Sequence, residues 1–196
     1  MSAAISLAKE LSDLQALALA QYFATFLAQF KGNPAEVERL ATDLIELSTR
    51  QNFAFWLPGC KVLRGWARST SRTSTEGIAW IEDGIEDWRA TGSSLFMPYY
   101  LALKAEALHL ADRAFEALDA IRQAEALAER FEERWWCAEL HRLRGVFLMA
   151  TGAQEAEIEA SFYAAIGTAT DQKSTSAKER ADASYAEYRQ RKARGL

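Results

Sequence analysis

Every 40 residues this chain repeats itself. Leu63-Arg64-Gly65, Leu103-Lys104-Ala105 and Leu143-Arg144-Gly145 lie at equal offsets of 40, and the agreement spreads outward to Phe55-Trp56, Leu95-Phe96 and Trp135-Trp136. Pro58 and Pro98 keep the spacing, as do Glu36, Glu76 and Glu116, and Gly32 returns as Gly152 three periods later. A repeat of this length is one supersecondary unit that cannot bury its apolar face alone, so the units must stack against one another.

Each unit reads as two helices. Apolar residues recur at three- and four-residue steps, as in Leu40, Leu44, Ile45 and Leu47 or in Ile78, Ile81 and Ile85, without the alternation of a strand. Gly32 can end one helix, Asn33 can cap the next, Pro34 suits its first position and Glu36 stands where a capping-box carboxylate belongs. Thr91-Gly92-Ser93-Ser94 and Thr151-Gly152 punctuate the later units in the same way. The pattern predicts first helices over 12–31, 55–70, 95–111 and 135–151, second helices over 34–51, 74–91, 114–131 and 154–170, and a last helix over 175–193. That last segment, with Lys178, Glu179, Arg180, Glu187, Arg189 and Lys192, is polar on most faces, as a terminal cap must be.

The chain has 196 residues, 49% of them hydrophobic and 26% charged, which is enough to bury a continuous core. A net charge of −4 and a pI near 5.4 supply no basic field for phosphate backbones or an anionic bilayer, so neither nucleic acid nor membrane is expected as a partner. Cys60 and Cys137 are too few for a secreted disulfide framework, and reduced thiols in the cytoplasm are the expectation. Residues 14–30 form the most apolar stretch, but Asp13 stands where a signal peptide would be basic, and Gln15, Gln21 and Gln29 interrupt the run.

Small residues repeat twelve positions apart, Gly65 with Gly77 and Ala105 with Ala117, and the second helices continue as Gly77, Ile81, Gly84 and Ala117, Ile121, Ala124. This pattern resembles the tetratricopeptide repeat, with a longer period, one inserted residue in the fourth unit (Ile158, Phe162, Ala165) and no tyrosine late in the first helix. The resemblance implies an all-α, right-handed α-solenoid of antiparallel helix pairs in a single domain over 1–196, with about four pairs and a C-terminal capping helix. More narrowly, Leu63 to Ala67, Gly77 to Leu108 and Trp135 to Gly145 look like the C-terminal repeat region of large bacterial signalling proteins. In those proteins an adenylate or guanylate cyclase domain, or a DNA-binding activator domain, precedes an ATPase module and then the repeats. What this implies here is a non-catalytic regulatory or protein-interaction domain. No Gly-x-x-x-x-Gly-Lys-[Ser/Thr] loop occurs, so nucleotide hydrolysis is not carried over.

Two constellations could do chemistry. Glu106 and His109 form a Glu-x-x-His pair on one helix face, half of a di-iron carboxylate site, but the only other histidine, His141, has Ala138 three positions before it. Cys137 and His141 are four apart and could face each other, yet a thiolate nucleophile also wants an orienting third group and a position that lowers the thiol pKa. No cofactor, no metal and no enzyme activity are expected. Most of the six tryptophans should be core, filling space that Gly65, Gly77 and Gly84 leave open.

In tetratricopeptide stacks the first helices line a concave surface, and counting from Gly65 or Ala105 predicts which side chains point into it. Those are Tyr22 and Phe26, Val62 and Trp66, Tyr99 with Glu106 and His109, and Glu139 with Arg142 and Val146. An aromatic floor with a mixed-charge end suits a protein or peptide partner; a metabolite enclosed in the same groove is the alternative. Subtracting one period from Leu44, Ile45, Leu47 and Gln51 places Ala4, Ile5, Leu7 and Leu11 on the latter half of a second helix, so residues 1–11 read as a truncated preceding helix. The next helix, with Leu14, Leu17, Leu19, Tyr22, Phe23, Phe26, Leu27 and Phe30, is apolar around much of its circumference. Self-association through this N-terminal apolar edge is expected.

Overall fold

The computed structural model describes residues 2–70 and 74–194, and among them there is no strand. Two compact units divide the chain, Met1–Ser94 and Leu95–Leu196. In the first, α1 (Ser2–Glu10) packs on α2 (Leu14–Phe30), α2 on α3 (Pro34–Gln51), and α3 on α4 (Leu57–Ser69), which pairs tightly with α5 (Ser74–Ala90). A single 3-10 turn, Ala54–Trp56, leads into α4. In the second unit α6 (Met97–Leu110) pairs with α7 (Ala114–Arg130) and α8 (Cys137–Ala150) with α9 (Glu155–Asp171). There α10 (Thr175–Ala193) lies against both α8 and α9. The predicted helices stand within two residues of their observed ends, and the architecture is the tetratricopeptide-like stack of helix pairs that the small-residue pattern implies.

The origin of the period is visible in the backbone. Ser12, Gly32, Asn52, Gly92, Asp112, Glu132 and Gly152, at multiples of 20 residues from one another, all have left-handed φ between 54° and 79°. Each sits just after a helix, where a left-handed residue lets the next N–H groups reach back to the last free carbonyls. At Gly32 the bonds run from Gly32 N–H to Gln29 O at 2.8 Å and from Asn33 N–H to Ala28 O at 3.0 Å. Seventeen residues of α2 and a three-residue turn make one step of this beat, and two steps make the repeat. The next such residue, Lys173, comes one position late, which is where the inserted residue of the fourth unit has its effect. Asn33 then starts α3 as expected, its side chain accepting from Glu36 N–H at 3.1 Å, and Asp13 does the same for Ala16 at 2.9 Å.

Close backbone approach holds the pairs together. A Cβ added to Gly84 would meet Pro58 O at 2.8 Å, and one added to Gly145 would lie 2.9 Å from the Phe162 ring. The shifted fourth unit thus keeps its glycine for a different reason: it makes room for an aromatic ring rather than for a neighbouring helix backbone. Trp66, Trp88 and Trp136 are buried, Trp56 and Trp80 are half-buried, and Trp135 is exposed.

Candidate functional site

Among the expected groove residues, the apolar ones are core, apart from the half-buried Val146. Tyr22 (0% exposed), Phe26 (3%), Val62 (0%), Trp66 (6%) and Tyr99 (0%) offer almost no surface to a partner. The reason is lateral packing. Tyr22 meets Phe26 at 5.0 Å and Trp56 at 5.1 Å with tilted rings, while Tyr99 meets Trp136 at 5.1 Å and Trp135 at 5.5 Å. Counting by period finds the helix face, but it does not show that aromatic rings of neighbouring helices close over that face. The expected aromatic floor is therefore replaced by packed interior.

The polar members are brought together. In the second unit α8 packs against both α6 and α10, so the three lie side by side with α8 between. Glu139 and Arg142 are one turn apart on α8, and Arg142 Nη2 donates to Glu139 Oε1 at 2.6 Å. From α10, Arg180 Nε donates to Glu139 Oε2 at 3.2 Å, and Ser184 Oγ accepts from Arg142 Nη1 at 3.1 Å. Glu139 is buried and Arg142 nearly so, with side-chain exposures of 6% and 15%. Burial pushes the Glu139 carboxyl upward, but Arg142 and Arg180 outweigh it and hold the group below its ordinary value. For Arg142, burial opposes the charge, and Glu139 and Glu106 together more than restore it. The field of Glu106 reaches Arg142 from α6, and Arg142 Nε keeps one donor without a hydrogen-bond acceptor.

His109, one turn beyond Glu106, lies 4.8 Å from the Phe147 ring, and its Nδ1 has no hydrogen-bond partner. Desolvation lowers its pKa, against an upward pull from Asp112, so the imidazole is biased toward its neutral form. Arg180 and Ser184 were missed from the sequence, where α10 reads only as a polar cap. The signal was nevertheless present: Arg180 stands one period plus the inserted residue after Glu139, so α10 continues the lattice as the first helix of a further unit, with the charge reversed.

Among the described residues no group of three or more His, Cys, Asp or Glu side chains is placed to hold a metal. Burial raises the pKa of the Cys137 thiol; Arg134 pulls it down, while Glu125, Glu129 and Glu133 push it further up. His141 Nδ1 lies 3.4 Å from Glu125 Oε1, so the imidazole faces a carboxylate. Cys60 is buried and its thiol pKa is raised by desolvation alone. Among the described residues no helix is long and apolar enough to cross a membrane.

No family model matches the sequence. An uncharacterized protein of Rhizobium meliloti is 28% identical over 117 residues, which cover 60% of this chain but 11% of that protein. The chain therefore spans about a tenth of the length of the curated relative it matches. Bacillus thuringiensis PlcR, solved in complex with the peptide PapR7 and DNA, superposes with a TM-score of 0.67 at 18% identity. That match covers 86% of this chain and 69% of PlcR, and it establishes a shared helical-repeat fold.

Proposed function

We propose that this chain is a non-catalytic interaction module that regulates an attached or associated output domain by binding a protein or peptide. The observation that carries the reading is the charge cluster of buried Glu139, nearly buried Arg142 and part-exposed Arg180, with Glu106 acting on Arg142 from the neighbouring first helix, which also carries His109. Ion pairs this deep are rarely the cheapest way to fill a core, because desolvation offsets much of the Coulomb gain. They do fix orientation, and beside them the half-buried Glu106 and His109 put polar side chains on a helix face that a peptide can lie along. The peptide bound by the structurally similar PlcR supports this class of partner. The acidic net charge favours a protein partner over nucleic acid.

The beat of left-handed caps runs through both units, which supports a single repeat domain over 1–196. The free thiols Cys60 and Cys137 support a reducing, cytoplasmic setting. That the repeats serve a signalling protein of the cyclase and ATPase kind rests on the sequence resemblance alone.

Self-association is part of the same proposal. Leu7, Leu11, Leu14, Leu19, Phe23 and Leu27 are each at least 38% exposed. Between α1 and α2 lies an apolar cleft of about 420 Å³ lined by Ala4, Leu7, Leu11, Leu19 and Phe23. A second copy that laid the same face into this cleft would remove the patch from water. Partner capture by the wild-type chain, compared with Glu106→Gln and His109→Ala variants of unchanged melting temperature, tests the main reading. Undiminished capture by both would contradict it.

A further inference from the structure

The last two helices of the second unit bring two phenols together. Tyr163 on α9 and Tyr185 on α10 share a hydrogen bond of 2.8 Å between their hydroxyls, with ring centres 5.3 Å apart and planes at 63°. Of the six tyrosines, Tyr22, Tyr99 and Tyr100 are fully buried and Tyr188 nearly so. Tyr163 is 56% exposed and Tyr185 half-buried, so these two alone offer their rings to a reagent in solution.

The fold does not demand this pair. One period plus the inserted residue earlier, the positions of Tyr163 and Tyr185 are filled by Arg122 and Arg144. Packing between α9 and α10 is supplied beneath the hydroxyls, where the Phe162 ring lies 5.7 Å from that of Tyr185 and 5.9 Å from that of Tyr188. An exposed bond between two hydroxyls adds little stability, since water competes for both partners.

The chemistry open to such a pair is oxidative coupling. Each phenol gives up one electron and its O–H proton, and the unpaired spin of the resulting radical spreads to the ring carbons beside the oxygen. With the oxygens already in contact, a small ring rotation brings one of those carbons from each ring together. A carbon–carbon bond forms between them, and the hydrogen that each carried moves to its own ring's oxygen, restoring both phenols. The oxidant class required is a haem peroxidase with hydrogen peroxide: one peroxide takes up the two electrons and two protons and leaves as two waters. The rings of a biaryl are twisted out of a common plane, and the 63° between these two is a twist of that kind.

We propose that Tyr163 and Tyr185 form a peroxide-dependent modification site, coupling to an intramolecular dityrosine that staples α10 to α9. Because α10 also carries Arg180 and Ser184, which donate to Glu139 and accept from Arg142, the staple would fix one wall of the charge cluster. The test is oxidation of the whole chain by a haem peroxidase and hydrogen peroxide, followed by dityrosine fluorescence, peptide mapping and thermal melting. A peptide joining residues 163 and 185 and lacking two hydrogen atoms is expected, in a yield that dilution leaves unchanged. The melting temperature should rise, because the link closes a loop in the unfolded chain. Tyr163→Phe and Tyr185→Phe should each lose the link, and Tyr188→Phe should keep it. No coupling in the parent, coupling only between chains, or fluorescence that survives in either of the first two variants would overturn the site. Each variant removes one hydroxyl and keeps its ring, so an unchanged melting temperature before oxidation separates lost chemistry from lost folding.

Discussion

Gly65 and Gly77 face each other across α4 and α5 so closely that a Cβ on either would lie 2.6 Å from the carbonyl oxygen of the other. Backbone cannot give way as a flexible side chain can. Gly65→Leu is therefore expected to destabilise by about 1–3 kcal/mol or more through overpacking, with Gly65→Ala lowering the melting temperature in the same direction. Ala117→Leu, at a fully buried position on α7, should behave likewise.

Gly167 makes the opposite prediction. It lies inside α9, and a Cβ there would have nothing within 4 Å. Gly167→Ala should raise stability by about 0.5–1 kcal/mol, since alanine loses less backbone freedom in a helix. Thermal melts of the glycine variants side by side check both signs.

Trp66 and Tyr99 should now act as core residues. Each truncation to alanine is expected to cost about 3–5 kcal/mol, because it opens a cavity where a large ring was packed. A double variant that stayed folded and lost only partner binding would restore the aromatic floor that the structure replaces.

Glu139 makes stability depend on pH. Its carboxyl is held below the ordinary value of 4.5, so its contribution is present above that value and lost as pH falls through the folded-state pKa. Glu139→Gln leaves Arg142 and Arg180 without their shared carboxylate and should cost about 3 kcal/mol at neutral pH. Its denaturation midpoint should then fall less steeply in acid than that of the parent. Parallel acid profiles would show that Glu139 is not the group that titrates.

At the N-terminal edge, Phe23→Glu and Leu27→Glu are expected to convert a self-associating species to monomer in sedimentation experiments. Both side chains are 40% exposed, so the folded chain should tolerate the charges. A wild-type chain that is strictly monomeric at tens of micromolar would contradict the proposed self-association.

Much of this fold is legible because the repeat fixes it several times over. Gly65, Ala105 and Gly145 mark one helix position, Gly77 and Ala117 its partner, and the left-handed caps set the beat that both inherit. The candidate site was half legible. Periodicity put Glu106, His109, Glu139 and Arg142 on a common face, but it could not tell an exposed face from one closed by neighbouring rings, which is why Tyr22, Trp66 and Tyr99 were misplaced. Arg180 escaped because a polar terminal helix looks like solvated surface until its partner Glu139 is known to be buried.

The interaction reading is tested most directly by selecting peptides from a random library on the intact chain and mapping them by amide hydrogen exchange. The account predicts that bound peptides protect α6 and α8 around Glu106, His109 and Arg142, and that Glu106→Gln with His109→Ala abolishes the selection. Protection confined to other helices, or peptides that bind the double variant as well as the parent, would contradict it.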